Sequence, residues 1–302
     1  MENILIITNS YDLTADYIIN KNVEGVNFFR FNTDYFNDYE IVISESGSYI
    51  SQEGRKCDLE TCKAIYYRKV TMPKLEDYEN YYKDYMYKEI FSTINGIGET
   101  FGDRVLTRPF ILRRADNKIL QLKWSREVGF KTANSLITNF DNAANEFAKD
   151  FEECVIKPLS TGRIIKDNNV SIIQTNIVKG EISGLDSSPA YIQKYLEKDY
   201  EVRATVINND FFVVKIDSSN KVDWRKNGTK INYEIMDLPL SVKDKCLNIM
   251  DLANLKFAAF DFIVRNNEYY FLEFNANGQW LWLEMELNLN ISDSIINYLR
   301  KK

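Results

Sequence analysis

Two stretches in the last third of this 302-residue sequence read as β-hairpins, and nothing else in the chain narrows its fold as far. Val202–Ile207 and Phe211–Ile216 flank Asn208-Asn209-Asp210; Ala259–Arg265 and Tyr269–Phe274 flank Asn266-Asn267-Glu268. β-Branched and aromatic runs around an Asn-rich tip favour two antiparallel strands and a tight turn. The second hairpin also carries chemistry. Asp261 lies in its first strand, and Glu273 and Asn275, two apart in the next, share one face. Asp261 joins that face only if it pairs opposite Glu273. That register demands a three-residue tip, Asn266-Asn267-Glu268, or an equivalent bulge. Two carboxylates and an amide oxygen then converge, a hard-oxygen set suited to Mg²⁺ carrying a nucleotide's phosphates. The bland alternative is a solvated polar face.

The chain has no histidine. Ser-His-Asp and Cys-His catalysis and His-based zinc sites are therefore excluded. Chemistry has to rest on carboxylates, lysine, arginine, hydroxyls and a bound metal. The net charge is -6, with no concentrated basic stripe, so no nucleic-acid partner is expected. No apolar run approaches the roughly 20 residues that span a bilayer. Met1–Asn9 reads as a strand and not as a signal peptide, so a cytoplasmic protein with no membrane partner is expected. Cys57, Cys62, Cys154 and Cys246 form no C-x-x-C pair and read as reduced, buried thiols.

Three regions follow from the patterning. Residues 1–115 open with a strand at Ile4–Thr8, add a buried strand at Ala64–Tyr67 and carry a helix over Asp77–Asn95. In that helix Tyr78, Tyr81, Tyr82 and Tyr85 recur at helical spacing, which predicts a stripe packed on the domain's own sheet rather than a partner face. Residues 116–190 hold a helix over Asn117–Glu127, a strand at Ser135–Thr138, a helix at Asp141–Lys149 and a strand at Cys154–Lys157. The loop Pro158-Leu159-Ser160-Thr161-Gly162 comes next. Residues 191–302 hold both hairpins, a helix over Val242–Leu255 capped by Ser241, and a last helix over Ile291–Arg300.

Several fragments can meet a nucleotide. Lys157 ends an apolar strand before a small-residue loop whose backbone N–H groups can approach phosphate oxygens. Gln193, Lys194, Tyr195 and Leu196 close another apolar run ahead of Glu201 and Arg203, offering an adenine slot, a ribose acceptor and a phosphate fork. Asp223-Trp224-Arg225-Lys226-Asn227 adds a second arginine. On its own fragment, Lys157 reads better as an ordinary strand-end lysine; the weight comes from the order and company of these segments.

Taken in order, these segments resemble the ATP-grasp superfamily and, within it, relatives of ribosomal-protein glutamate ligase. A narrower resemblance spans nearly the whole chain. Tyr66-Tyr67-Arg68-Lys69, Leu106-Thr107-Arg108-Pro109, Ala115-Asp116-Asn117-Lys118 and Phe271-Leu272-Glu273-Phe274-Asn275-Ala276-Asn277-Gly278-Gln279-Trp280-Leu281-Trp282 look like the graspetide synthetases, the maturases of microviridin-, plesiocin- and thuringinin-like peptides. The resemblance implies an α/β ATP-grasp fold with an N-terminal Rossmann-like pre-ATP-grasp domain (1–115) and central (116–190) and C-terminal (191–302) subdomains that clamp the nucleotide. It implies ATP and Mg²⁺ as cofactors. Lys118, Lys157, Gln193, Lys194, Tyr195, Leu196, Glu201, Arg203, Arg225 and Asn227 would hold the nucleotide. Lys157, Arg203 and Arg225 would also serve catalysis, and Asp261, Glu273 and Asn275 would bind the metal. Glu201 stands where the family's ribose contact is Asp. Arg68, Gln279 and Trp280 would face the substrate. That substrate would be a ribosomal precursor peptide of leader and core, acted on by a homodimer that joins Asp or Glu side chains to hydroxyls or lysine amines. A ligase adding amino acids to a protein or small-molecule carboxylate would keep the same residues and change only the acceptor. A catalytically silent nucleotide-binding regulator would be expected to have lost some of them.

Overall fold

The computed structural model describes residues 1–160, 162–166, 169–172, 175–220 and 228–302. The N-terminal unit comprises β1 (Glu2–Thr8), α1 (Leu13–Asn20), β2 (Val26–Asn32), β3 (Glu40–Ser44), β4 (Gly47–Gln52), β5 (Arg55–Asp58), β6 (Ala64–Tyr67), α2 (Asn80–Thr100), β7 (Val105–Leu106) and α3 (Pro109–Ala115). Ile4–Ile7 is buried throughout, as a parallel strand covered on both faces must be. It lies inside a parallel sheet of order β2-β1-β6-β7, while β3-β4-β5 form a separate antiparallel sheet. The chain runs from β1 to β2 on one side and returns to β6 on the other. The ends of β1 and β6 therefore flank a topological switch point, where open α/β sheets leave a crevice.

The tyrosine stripe is a correction. Tyr78, Tyr81, Tyr82 and Tyr85 are 49–63% exposed, and the Tyr81 and Tyr82 rings meet at a tilt with centroids 4.2 Å apart. Only the later turns of α2 pack inward, through Ile90, Ile94 and Ile97. A Cβ on Gly98 would stand 2.9 Å from Pro109, so this residue lets α3 approach closely. Packing that tight at the C-terminal half leaves the first turns projecting into solvent.

The middle of the chain supplies α4 (Lys118–Glu127), β8 (Ser135–Thr138), α5 (Asp141–Lys149), β9 (Cys154–Lys157), β10 (Arg163–Lys166), β11 (Asn169–Ile172), β12 (Asn176–Ile177) and β13 (Ala190–Lys194). The antiparallel sheet β12-β9-β13-β8 encloses a small core of Ala144, Cys154, Ile182, Leu185, Ala190 and Ile192. Strands β10 and β11 form a separate two-stranded sheet. Helix α4 belongs elsewhere, because Trp124 joins the main core.

The C-terminal unit has β14 (Tyr200–Ile207), β15 (Asp210–Ser218), β16 (Ile231–Ile235), α6 (Leu240–Ala253), β17 (Phe257–Arg265), β18 (Glu268–Asn275), α7 (Leu281–Leu287) and α8 (Ile291–Arg300), with sheet order β16-β15-β14-β17-β18. One apolar core runs from Leu5, Ile65 and Ile94 to Ala204, Phe260 and Phe274, so the N- and C-terminal units pack as a single body. Helix α6 is capped two residues earlier than its sequence suggested. The Pro239 carbonyl accepts from Val242 N at 2.9 Å and Lys243 N at 3.1 Å, which leaves Ser241 inside the first turn. All four cysteines are free and buried.

Both hairpins close through two-residue tips, Asn208-Asn209 and Asn266-Asn267. Asn266 and Asn267 adopt φ of 50° and 60°, the left-handed pair that matches the twist of the flanking strands. With so short a tip, a regular ladder would set Asp261 opposite Leu272. Instead Phe262 pairs with Phe271 and Asp261 with Glu273, and the leftover Leu272 is a bulge. The register therefore comes from the bulge and not from the turn. Replacing Asn267 with valine forces a β-branched residue into the left-handed region and should lower unfolding free energy by about 1–2 kcal/mol in chemical denaturation.

Candidate active site

Three aligned positions cross adjacent strands: Arg203 on β14 faces Asp261 on β17, which faces Glu273 on β18. Arg203 Nη1 donates to both Asp261 oxygens, at 2.8 and 2.6 Å. Asn275 Nδ2 donates to Asp261 Oδ2 at 3.3 Å, and Lys118 of α4 forms an ion pair with Glu273. The expected convergence of Asp261, Glu273 and Asn275 on one face is therefore present. Gly278 keeps Arg203 in place: a Cβ there would lie 2.8 Å from Arg203 Nη2 and 2.8 Å from the Ala259 side chain.

Helix α4 is fixed locally. Asn117 Oδ1 caps it by accepting from Ile119 N and Leu120 N at 3.0 and 3.1 Å. Buried Gln121 then clamps it to β18. Its Nε2 donates to Ala115 O at 2.8 Å and Phe274 O at 2.9 Å, and its Oε1 accepts from Phe274 N at 3.3 Å. The start of α4 is thus sewn to the residue lying between Glu273 and Asn275.

Lys157 Nζ donates to Gln193 Oε1 at 2.7 Å, joining the ends of β9 and β13. Lys194 N and Tyr195 N donate to Asn134 O and Glu153 O, at 2.8 and 2.9 Å, which holds the expected hinge against the central unit. The Lys194 ammonium lies over the Phe151 ring, and Leu196 is buried. Glu201 is buried too and ion-paired with Lys198, so its carboxylate is part of a local pair. Arg225 and Asn227 lie outside the described residues, as does Thr161 of the loop after Pro158.

The segment after Asn275 fills the switch-point crevice. Asn277 Nδ2 donates to Arg68 O at 2.7 Å, and Lys69 Nζ donates to Asn277 O at 2.6 Å. Arg68, expected at the substrate, is 2% exposed and pairs with Asp12 through Nε at 2.6 Å and Nη2 at 3.2 Å. Burial pushes the Asp12 carboxyl up, but Arg68 outweighs it and holds the group below its ordinary value. Gln279 Oε1 accepts from Thr14 and Arg68, at 3.3 and 3.4 Å. Trp280 is fully buried and its Nε1 donates to the Tyr66 hydroxyl. Arg68 and Trp280 are therefore internal props, contrary to the expectation that they line a substrate mouth. Their motif is apolar and polar by turns, which does not distinguish a crevice wall from a crevice filler. Lys69, Gln121 and Asn277 hold this segment and α4 in place without having been expected to, although Lys69 and Asn277 lie in motifs quoted from the sequence. Burial, with Arg68 next to it, pulls the Lys69 ammonium down to about 8.

Comparison with known proteins follows this geometry. The RimK-like ATP-grasp domain model matches residues 115–299, and the MvdD pre-ATP grasp domain model matches residues 3–109. The chain belongs to the RimK-like ATP-grasp family. Its whole length is similar to the macrocyclase MdnC of Microcystis aeruginosa MRC, solved with precursor peptide MdnA, at 26% identity and TM-score 0.90, covering 99% of this chain and 100% of that one. A RiPP-associated ATP-grasp ligase of Chryseobacterium gregarium, solved with ADP and a leader and core peptide, is 28% identical at TM-score 0.85, covering 99% and 96%. The M. aeruginosa macrocyclase MdnB is 27% identical at TM-score 0.80, covering 99% of each chain. Comparison with curated protein sequences gives no match.

The donor set fits Mg²⁺. Among the described residues no group of three or more His, Cys, Asp or Glu side chains is placed to hold a metal alone. Two carboxylates and an amide leave half the positions of an octahedron to water and phosphate oxygens, as suits Mg²⁺. Gly278→Ala should displace Arg203 and slow ADP formation roughly a hundredfold, with little change in melting temperature. Asp12→Ala strands the Arg68 charge in the interior and should cost about 3–5 kcal/mol in denaturant unfolding. Because the Asp12 carboxyl is depressed in the folded state, that difference should shrink as pH falls below its ordinary range.

Proposed function

We propose that this protein is an ATP-dependent macrocyclase of a ribosomal precursor peptide. It phosphorylates Asp or Glu side-chain carboxylates of the core and joins them to Thr or Ser hydroxyls, or to Lys amines. The observation that carries this reading is the full-length likeness to the precursor-bound MdnC, in a chain whose Arg203–Asp261–Glu273 row and Lys118 face one side of the sheet.

A carboxylate is a poor electrophile at neutral pH. Its oxygen attacks the γ-phosphorus of ATP, the bond to the ADP oxygen breaks, and an acyl phosphate forms. Such transfer depends on positioning and charge neutralisation. Asp261, Glu273 and Asn275 would hold Mg²⁺, which supplies charge neutralisation at the phosphates when bound. Lys118, Lys157, Arg203 and Arg225 offset the remaining charge, with Asn227 beside them. Gln193, Lys194, Tyr195 and Leu196 receive the adenine, and Glu201 lies toward the ribose. Gln279 lies nearest the core peptide, while the free-standing β10–β11 hairpin suits a docked leader, whose tethering raises the local concentration of each core carboxylate.

The protein acts as a cytoplasmic homodimer in this reading. The exposed Tyr78, Tyr81, Tyr82 and Tyr85 support self-association. Among the described residues no helix is long and apolar enough to cross a membrane.

Mass spectrometry tests the reading. Incubation with ATP, Mg²⁺ and the peptide encoded beside the enzyme's gene should remove the mass of one water per crosslink and release ADP. Gain of amino-acid residue mass instead would make the protein an amino-acid ligase. Glu273→Gln should reduce ADP formation by about 10²–10³-fold while the protein stays folded.

A further inference from the structure

We propose that Asp116 is the base that receives the proton of the attacking hydroxyl or amine in the second half of the reaction. This rests on the ligase reading above and extends it to a residue outside the nucleotide and metal sets. Asp116 sits between α3 and α4, directly after Ala115. The Ala115 carbonyl and the Phe274 carbonyl accept from the same Gln121 Nε2, at 2.8 and 2.9 Å. Phe274 lies between Glu273 and Asn275, so Asp116 is held beside the metal-binding face by a side chain that is itself 2% exposed.

The neighbouring acids are engaged. Asp261 accepts from Arg203 and Asn275, and Glu273 pairs with Lys118. Asp116 differs: among the described residues its carboxylate forms no hydrogen bond or ion pair. It keeps access to solvent, as a group meeting an incoming peptide must. It is nonetheless crowded enough that desolvation, helped by the charge of Glu273, raises its pKa against the pull of Lys118 and Lys69. A carboxylate of raised pKa is a stronger base than a free one and accepts a proton more readily in a transition state.

The step balances. The nucleophile's oxygen or nitrogen forms a bond to the acyl carbon as its proton passes to Asp116. The tetrahedral intermediate collapses, the bond from carbon to the phosphate oxygen breaks, and phosphate departs with the electron pair. Asp116 then returns its proton to phosphate or water. Asp116 takes no part in forming the acyl phosphate, and this separates it from Lys118, Lys157 and Arg203.

The test follows both halves at once, using wild type, Asp116→Asn and Asp116→Glu with ATP, Mg²⁺ and the peptide encoded beside the gene. ADP and crosslinked peptide are counted in parallel, and hydroxylamine is added as a trap. Asp116→Asn should keep peptide-dependent ADP formation within a few-fold of wild type. Its crosslinking should fall by about 10²–10⁴-fold, its ADP per crosslink should rise, and the peptide should appear as its hydroxamate. Asp116→Glu should recover part of the crosslinking. The wild-type crosslinking rate should climb with pH on an acid limb that Asp116→Asn lacks. Equal loss of ADP and crosslinks in Asp116→Asn, or crosslinking at the wild-type rate, overturns the role of Asp116. Wild type that forms no crosslink at all overturns the macrocyclase reading instead, with the Asp116 variants not entering that result.

Discussion

Two carboxylates placed directly opposite each other on paired strands repel, and the rest of this structure is arranged around making that tolerable. Asp261 and Glu273 hold that relation because Leu272 bulges out of the ladder. Arg203 approaches from β14 on one side and Lys118 from α4 on the other, so the row alternates as cation, two anions, cation. Like charges directly across a sheet are destabilising by up to about 1 kcal/mol, and each flanking cation offsets part of that cost. In the proposed reaction the same alternation would serve a polyphosphate with its metal. The carboxylates suit the ion and the cations suit the phosphate oxygens, all within one patch of sheet.

The N-terminal domain supports the site by direct contacts. In an open parallel sheet the crevice between strands that diverge in order is the usual place for a ligand. Here Asn277 and Gln279 enter it, met by Arg68, Lys69 and Thr14. The loop that follows Asn275 is thereby anchored in a second domain, and the buried Arg68–Asp12 pair is the anchor's root. A shared apolar core joins the two domains.

Much of this was legible in the sequence. Strand and helix bounds at Ala64–Tyr67, Ser135–Thr138, Asp141–Lys149, Cys154–Lys157 and Ile291–Arg300 follow from periodicity, because each is a short segment with one strongly preferred state. The meeting of Asp261 with Glu273 was readable as a condition, since alternation requires either a longer turn or a bulge. The chain uses the bulge, a feature of ladder geometry that residue types do not announce. Two misreadings share one cause. Tyrosines at helical spacing look the same whether a sheet lies under them or not, and Arg68 and Trp280 look the same whether they wall a crevice or stop it. Burial depends on what the rest of the chain brings alongside, and local pattern does not encode that. Gln121 is a similar case: a glutamine on a helix carries no sign of the two distant carbonyls it joins.

Among the described residues the central unit has a core of six buried side chains, none of them shared with the clusters that bind the other two units together. Its margin is stitched to the body by polar groups instead: the Lys131 carbonyl accepts from Phe271 N at 2.8 Å, and the Lys131 ammonium pairs with Glu268. A unit with a private interior and a hydrophilic border is a separable module, whose seam can be recut without opening either interior.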